Sequence, residues 1–504
     1  MEALPVNAAA CLFETGDADH VALECGSRQI SYGDLRRSVA RAAGAWRSLG
    51  LRADDRVVVF APDGIDWVEA YLGAIWAGGV AVGINPRLGL TDLAAILEES
   101  RIRFVWTAPE LAAEVAAMAA KLPQPPLVVA AEAQDGVSWR DWGSADALPI
   151  EPMPRLPDDM ALWIGTSGTT GKPKGVIHTQ GVTGPCGEFA RQILDAGPQD
   201  RLYATSKLFF AYALANSLFA GLRLGATVIL DPEWPTPERV LDMVAAHRPT
   251  LFFSVPTLYN KMLATGVAAR LAHRGIRHFV SAGESLPASV CARWREAAGL
   301  TPVSGYGTSE TLCLMLYTQQ DAGLLRPTPL TEVRYGNPDA DLPQRVWFRH
   351  PGLARCYWQR PKENAEDFKD GWFSPGDMFL RRGGELEFTG RNDDMLKIAG
   401  QWVSTQWVEQ ALRDACSETV QELAAVGVKG ADGLTAIAVF LVPSSQMREE
   451  AQRRLELGIA GLPGHKRPRW LHWVEALPQT ATGKLQRARL SALHQERLPE
   501  LAGR

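Results

Sequence analysis

Four short apolar runs alternate with helix-period segments over residues 31–130, and that alternation constrains the fold more than any other feature of the chain. The runs are "RVVVF" (56–60), "VAVGI" (80–84), "FVW" (104–106) and "LVVA" (127–130). None shows the polar–apolar alternation of a half-exposed strand, so each is expected to be buried on both faces, as strands of a parallel sheet covered by helices are. The helical segments carry their own signals. Ser31 and Asp34 stand at capping-box spacing, and Leu35, Val39, Ala43 and Trp46 then recur at helical intervals. A second helix is expected through Trp67 and Tyr71. The rhythm resumes after a proline cluster (Pro149, Pro152, Pro154, Pro157), which reads as a surface connection. Its later runs are "TVIL", "TLFFSVP", "HFVSAG" and "PVSGYG".

At 504 residues the chain is too long for one core. Its character changes near position 390. A charged stretch, "GRNDDMLKIAG", is followed by a smaller unit with a helix at "TQWVEQALRDA", strands at "ELAAVGV" and "LTAIAVFLV", and a charged helix near "MREEAQRRLE". The fold class is therefore α/β. A large N-terminal domain (1–392) has parallel-rich sheets sandwiched by helices, and a small α+β domain (393–504) follows, with the boundary at Asp393.

Charge and cysteine content remove several function classes. The net charge is −5 with no basic block, which excludes the electrostatic footprint of a nucleic-acid binder. The seven cysteines are scattered without a CxxC pair, which argues against a zinc site or a disulfide framework and for a reducing compartment. The longest uncharged apolar run, residues 70–84, is shorter than the ~20 residues of a membrane span and reads as a buried helix leading into a buried strand. No secretory leader is evident at the N-terminus. A cytoplasmic protein with no membrane partner is expected.

Residues 166–175, "TSGTTGKPKG", pack four hydroxyl side chains, three glycines and two lysines into ten positions. Small residues let backbone amides approach an anion, hydroxyls add donors and lysines add charge, so phosphate is the natural ligand. The Walker A spacing fails, because Gly165 and Gly171 are separated by five residues and Lys172 precedes a proline. The GxGxxG pattern is absent, and residues 176–179 read as a strand, so no helix N-terminus begins here. A glycine-rich hairpin turn without a ligand is the plain alternative.

The loop resembles the signature of the acyl-adenylate-forming superfamily, which includes acyl-CoA ligases, carrier-protein adenylation domains and luciferases. Four further motifs follow in the family's order: "GYGTSET" (305–311), "GWFSPGDM" (371–378), "GRNDDMLKIAG" (390–400) and "PQTATGKLQR" (478–487). Within the superfamily, "KLFFAYALANSLFAGLRLGATVIL", "SVPTLYNKML", "SAGESLP" and "KIAGQWVS" are similar to the benzoate-CoA ligase group. The segment 334–358 departs from the pattern, being shorter and less regular. Pro375 stands where Thr or Ser is common.

The resemblance implies an ATP-dependent, Mg²⁺-requiring ligase that joins an aromatic acid to coenzyme A through an acyl-AMP intermediate. Loading of a carrier protein is the alternative acceptor, and a silent acyl-binding protein the non-enzymatic one. Lys484 would be the catalytic cation, aided by Glu310 as the magnesium ligand and Thr308 near phosphate. Thr166, Ser167, Gly168, Thr169, Thr170, Gly171 and Lys174 would hold phosphates, and Lys172 would face pyrophosphate. Tyr306 would stack on adenine, or pack in the core. Asp377 would accept from the ribose hydroxyls, with Arg391 nearby. Phe210, Ala211, Tyr212, Ala282, Gly283, Gly305, Gly307 and Leu312 would form a flat, uncharged slot for the acid, with Tyr212 or backbone groups meeting a ring substituent. Ala399, Gly400 and Trp402 would line the CoA tunnel once the small domain turns about Asp393; for Trp402 an interdomain packing role stays open. The expected partners are the aryl acid, ATP and CoA, with a homodimer left open.

Overall fold

The computed structural model describes residues 6–130, 148–167, 173–319, 323–336, 342–391, 395–398, 401–416, 419–430, 433–444, 448–479 and 485–501. The chain divides into two compact units, 1–333 with 348–373, and 334–347 with 374–504.

Two sheets build the first unit. In one, the strand order is Leu127–Ala130, Phe104–Thr107, Arg56–Phe60, Val80–Gly83, Met160–Ser167, Pro173–Thr179 and Cys356–Tyr357. The first five run parallel and the last two antiparallel. The expected double-sided burial is observed: Val57, Val58, Val59, Val105 and Val129 are fully buried. The helix Tyr32–Ser48 begins where its cap predicts, with Ser31 Oγ accepting from Asp34 N at 3.1 Å. The helix Ile65–Trp76 is buried almost throughout and leads into the buried strand Val80–Gly83. Among the described residues no helix is long and apolar enough to cross a membrane.

In the second sheet, Val21–Cys25, Thr227–Leu230, Arg201–Ala204, Leu251–Ser254, His278–Ser281 and Val303–Tyr306 lie side by side and parallel. Leu316–Thr318 then returns antiparallel to Val303–Tyr306. Helices Pro237–His247, Pro256–Ala264 and Ala288–Ala298 cover one face, with Tyr259 and Trp294 edge-on at 4.5 Å in the layer between. Phe253, Val280, Ala282 and Val303 pack on the other face, against Phe189 and Ala220.

The proline stretch is a surface connection, as expected, with Pro149 and Pro154 exposed, and it is tied down. Met153 N donates to Trp76 O at 2.9 Å, Arg155 pairs with Val6 through both backbone groups, and the Arg155 side chain is buried. Strands lie at Gln344–Arg349 and Cys356–Tyr357.

The second unit is α+β. Strands Val420–Lys429, Thr435–Pro443 and Trp470–Trp473 form a mixed sheet. The helix Thr405–Cys416 buries Val408, Leu412 and Cys416 against Leu423, Ala425 and Val439 of that sheet.

Candidate active site

The carboxyl ends of parallel strands leave loops whose backbone groups are free of the ladder, and ligands of open α/β sheets gather there. Most of the expected site residues occupy that position in the first unit. Val303–Tyr306 ends at Tyr306 and continues into Gly307, Thr308 and Glu310. The neighbouring His278–Ser281 continues into Ala282 and Gly283, with Ser281 opposite Ser304.

Residues 307–313 form a tight turn rather than the start of a helix. Thr311 pins it: its Oγ1 accepts from Thr308 N at 2.9 Å and lies 3.0 Å from Cys313 O. Gly307 is required by this geometry, because a Cβ there would stand 2.9 Å from Cys313 O. Leu312 takes φ 54°, a left-handed conformation that costs a leucine on the order of 1 kcal/mol and that clusters at functional sites. Glu310 is buried, and its Oε1 accepts from Tyr357 OH at 2.8 Å. Thr308 Oγ1 is buried without a hydrogen-bond partner, an arrangement that awaits a polar ligand atom.

The phosphate-loop stretch is a β-hairpin. Met160–Ser167 pairs with Pro173–Thr179, placing Thr166 opposite Lys174. The hairpin tip, with Gly168, Thr169, Thr170, Gly171 and Lys172, lies outside the described residues, as does the side chain of Ser167. Lys174 Nζ lies 5.0 Å from the centroid of the Tyr357 ring and 3.8 Å from the Glu363 carboxylate. His178 joins this hairpin to the 307–313 turn. Its Nε2 is 2.9 Å from Ser309 O, and burial lowers its pKa to about 4, so at neutral pH the ring is uncharged and Nε2–H donates. The structure thus brings Lys174, Thr308 and Glu310 around Tyr357 and His178. Sequence reasoning missed Thr311, Tyr357 and His178; only the "HT" and "YW" positions beside motifs signalled the latter two.

A magnesium ion fits these residues. Among the described residues no cluster of three or more His, Cys, Asp or Glu is placed to hold a metal. A single buried carboxylate suits an ion that takes one or two protein oxygens and completes its shell with water and phosphate.

The acid-pocket residues are held differently from one another. Phe210 precedes the short helix Ala211–Ala213, and its ring lies 4.4 Å from that of Phe209. Tyr212 stands edge-on to Phe253 at 6.2 Å. Its hydroxyl donates to Val280 O at 3.0 Å, which leaves its oxygen lone pairs, rather than its proton, for a ring substituent. Ala282 is buried, Gly283 takes φ 89° with Val255 Cγ1 3.7 Å from where a Cβ would stand, and Leu312 is buried. At Gly305 a Cβ would stand 2.6 Å from Leu314 Cδ1, so packing with Leu314 already demands a small residue there. Tyr306 lies 6.0 Å from Phe348, its ring half-buried.

In the second unit, Asp377 and Arg391 are directly opposed on the antiparallel strands Asp377–Arg382 and Glu385–Arg391. Asp377 is buried and its Oδ1 lies 3.8 Å from Arg391 Nε. The preceding turn uses Gly376 at φ 73° and is braced by Arg345, which donates to Ser374 Oγ and O at 3.2 Å. Lys484, Asp393, Ala399 and Gly400 lie outside the described residues. Trp402 sits on Gln401–Ser404 opposite Lys397.

Comparison with known proteins gives the class of the chain. The chain belongs to the AMP-binding enzyme family, whose model matches residues 13–358. Within that family it is 40% identical to the 3-hydroxybenzoate–CoA ligase of Aromatoleum sp. (strain CIB), covering 95% of this chain and 94% of that one. Among solved structures it is similar to the anthranilate CoA ligase AuaEII in complex with anthranoyl-AMP, with a TM-score of 0.88, 27% identity and 97% of each chain covered. It is also similar to a benzoate CoA ligase from Burkholderia xenovorans LB400, with a TM-score of 0.84, 30% identity and 96% and 99% of the chains covered.

Proposed function

We propose that the chain activates benzoate or a ring-substituted benzoate with ATP and transfers the aryl group to coenzyme A, releasing AMP and pyrophosphate. The observation that carries this is the convergence of Lys174, Thr308 and buried Glu310 at the end of a parallel strand, in a chain whose relatives are named for aryl acids. A carboxylate oxygen attacks the α-phosphorus, pyrophosphate leaves, and the CoA thiol then attacks the acyl carbon and expels AMP. Bringing two anions together makes positioning and cation placement the main demands on the protein. Glu310 would hold Mg²⁺, which would neutralise triphosphate charge, while Thr308 and the residues of the 166–174 hairpin would donate to phosphate oxygens. Tyr306 stacks on adenine, and Asp377 and Arg391 take the ribose.

The aromatic ring occupies the slot of Phe210, Ala211, Tyr212, Ala282, Gly283, Gly305, Gly307 and Leu312. No charged side chain belongs to that set, so dicarboxylates and cationic acids are disfavoured, since an unpaired buried charge is costly. The C-terminal domain, from Asp393 onward, delivers Lys484 for adenylation and, after turning, Ala399, Gly400 and Trp402 for the thiol. The free state of all seven cysteines agrees with action in the cytoplasm.

The test is a panel of aryl acids assayed for AMP release with Mg²⁺, ATP and free CoA. Aryl-CoA formed from benzoate or a hydroxy- or aminobenzoate supports the proposal. Adenylate formation without transfer to free CoA would point to a carrier-protein acceptor, and absence of ATP–pyrophosphate exchange with every acid would remove the activity altogether.

A further inference from the structure

We propose that Tyr357 is a positioning residue for the Glu310 carboxylate, and through it for the magnesium–triphosphate complex of adenylation. The inference rests on the reading of Glu310 as the magnesium ligand. Tyr357 is held far more firmly than a packing residue needs. It lies opposite Val176 on a two-residue strand added to the edge of Pro173–Thr179. On either side, Arg355 N donates to Ile177 O and Trp358 N to Gly175 O, both at 2.8 Å. The side-chain amide of Asn364 grips the Tyr357 backbone twice, accepting from its N at 2.7 Å and donating to its O at 2.9 Å. Phe368 stands edge-on to the ring at 5.3 Å.

This fixed phenol donates to Glu310 Oε1 at 2.8 Å, and Ala354 N of the same segment donates to Glu310 O at 2.7 Å. Backbone and carboxylate of Glu310 are therefore both tied to the edge segment that pairs with the strand carrying Lys174. A carboxylate with one oxygen bound to an immobile donor keeps one orientation, and its second oxygen remains available to a hard cation. A neutral donor suits the task. It orients the carboxylate without cancelling its charge, whereas a lysine or arginine in the same place would compete with the metal. Lys174 sits on the face of the Tyr357 ring rather than on Glu310.

The test follows the electron paramagnetic resonance of Mn²⁺, standing in for Mg²⁺, while the full-length protein is titrated with ATP. Tyr357→Phe keeps the ring and removes only the hydroxyl. It is expected to weaken Mn²⁺–ATP binding about tenfold, the scale of a hydrogen bond to a charged group, with circular dichroism and aryl-acid affinity unchanged. In a Glu310→Gln background the same substitution should add nothing. Wild-type Mn²⁺–ATP affinity in Tyr357→Phe, or fully additive losses in the double variant, would overturn the proposal. A loss in Glu310→Gln alone sinks only the role of Tyr357; wild-type binding in Glu310→Gln sinks the ligand assignment and this inference with it. Should Tyr357→Phe not fold, Asn364→Ala loosens the same tyrosine with its hydroxyl in place. Reduced Mn²⁺–ATP affinity there supports the proposal, and unchanged affinity overturns it.

Discussion

At the scale of a single residue, Thr308 carries a group that packing alone does not account for. Its hydroxyl is buried and unpartnered, so it destabilises the protein that carries it. Thr308→Val keeps the shape and removes the hydroxyl. We expect it to raise stability by about 1 kcal/mol in denaturant titration while lowering ATP affinity and adenylation. A variant that loses stability and keeps its ATP affinity would make Thr308 an ordinary core residue. Tyr212 is the converse case. The sequence places an aromatic hydroxyl beside the acid slot, and the folded protein commits its donor to the Val280 carbonyl, which Tyr259 OH also reaches at 3.1 Å. Residue type was legible in both positions. Which groups were already satisfied was not, because that depends on partners up to 68 positions away.

At the scale of elements, the legible features were those encoded within one turn or one strand. The Ser31 cap, the apolar parallel strands and the strand after the glycine-rich loop are local consequences of side-chain chemistry and period. The 307–313 turn was not legible as a turn. It is held by Thr311 and by the close approach of Gly307 to Cys313, and a carboxylate at Glu310 reads equally well as the start of a helix. Gly307→Ala tests this element. The added Cβ meets backbone and forces the turn aside, displacing Thr308 and Glu310 together. Adenylation should fall on the order of tenfold or more, the cost of misplacing catalytic groups, as read by ATP–pyrophosphate exchange. Unchanged exchange would mean that the turn tolerates the shift and does not position the site. The edge strand Cys356–Tyr357, two residues long, had no signal of its own; its pairing with residues 180 positions earlier exists only in the folded sheet.

At the scale of the whole molecule, pH acts through buried histidines. Burial lowers the pKa of His178, His350 and His472 to about 4 each, against 6.5 for a free imidazole. Between these values the unfolded chain binds protons that the folded one does not. Stability is therefore complete above about pH 6.5 and declines as pH falls toward 4. In the first unit buried Asp63, pushed up to about 7, opposes His178 and His350 over the same range, so the fall should be read in the second unit, through His472. A flat profile there would contradict the burial of the His472 ring. Lys484→Ala tests the division of labour along the chain: adenylation should drop severely while thioester formation from supplied aryl-AMP persists, and equal damage to both would refute the role. By itself, the sequence determined the α/β class, a large unit with a smaller C-terminal one, and the family, because periodicity, caps and motif spacing are short-range properties of a chain. The tertiary structure alone decided that Tyr357 and His178 join the hairpin to the Glu310 turn, that Tyr212 has no proton to offer a substrate, and that Asp377 faces Arg391. Each of these is a contact between groups whose separation along the chain says nothing of their distance in space, and only burial of the intervening core brings them within reach of a hydrogen bond.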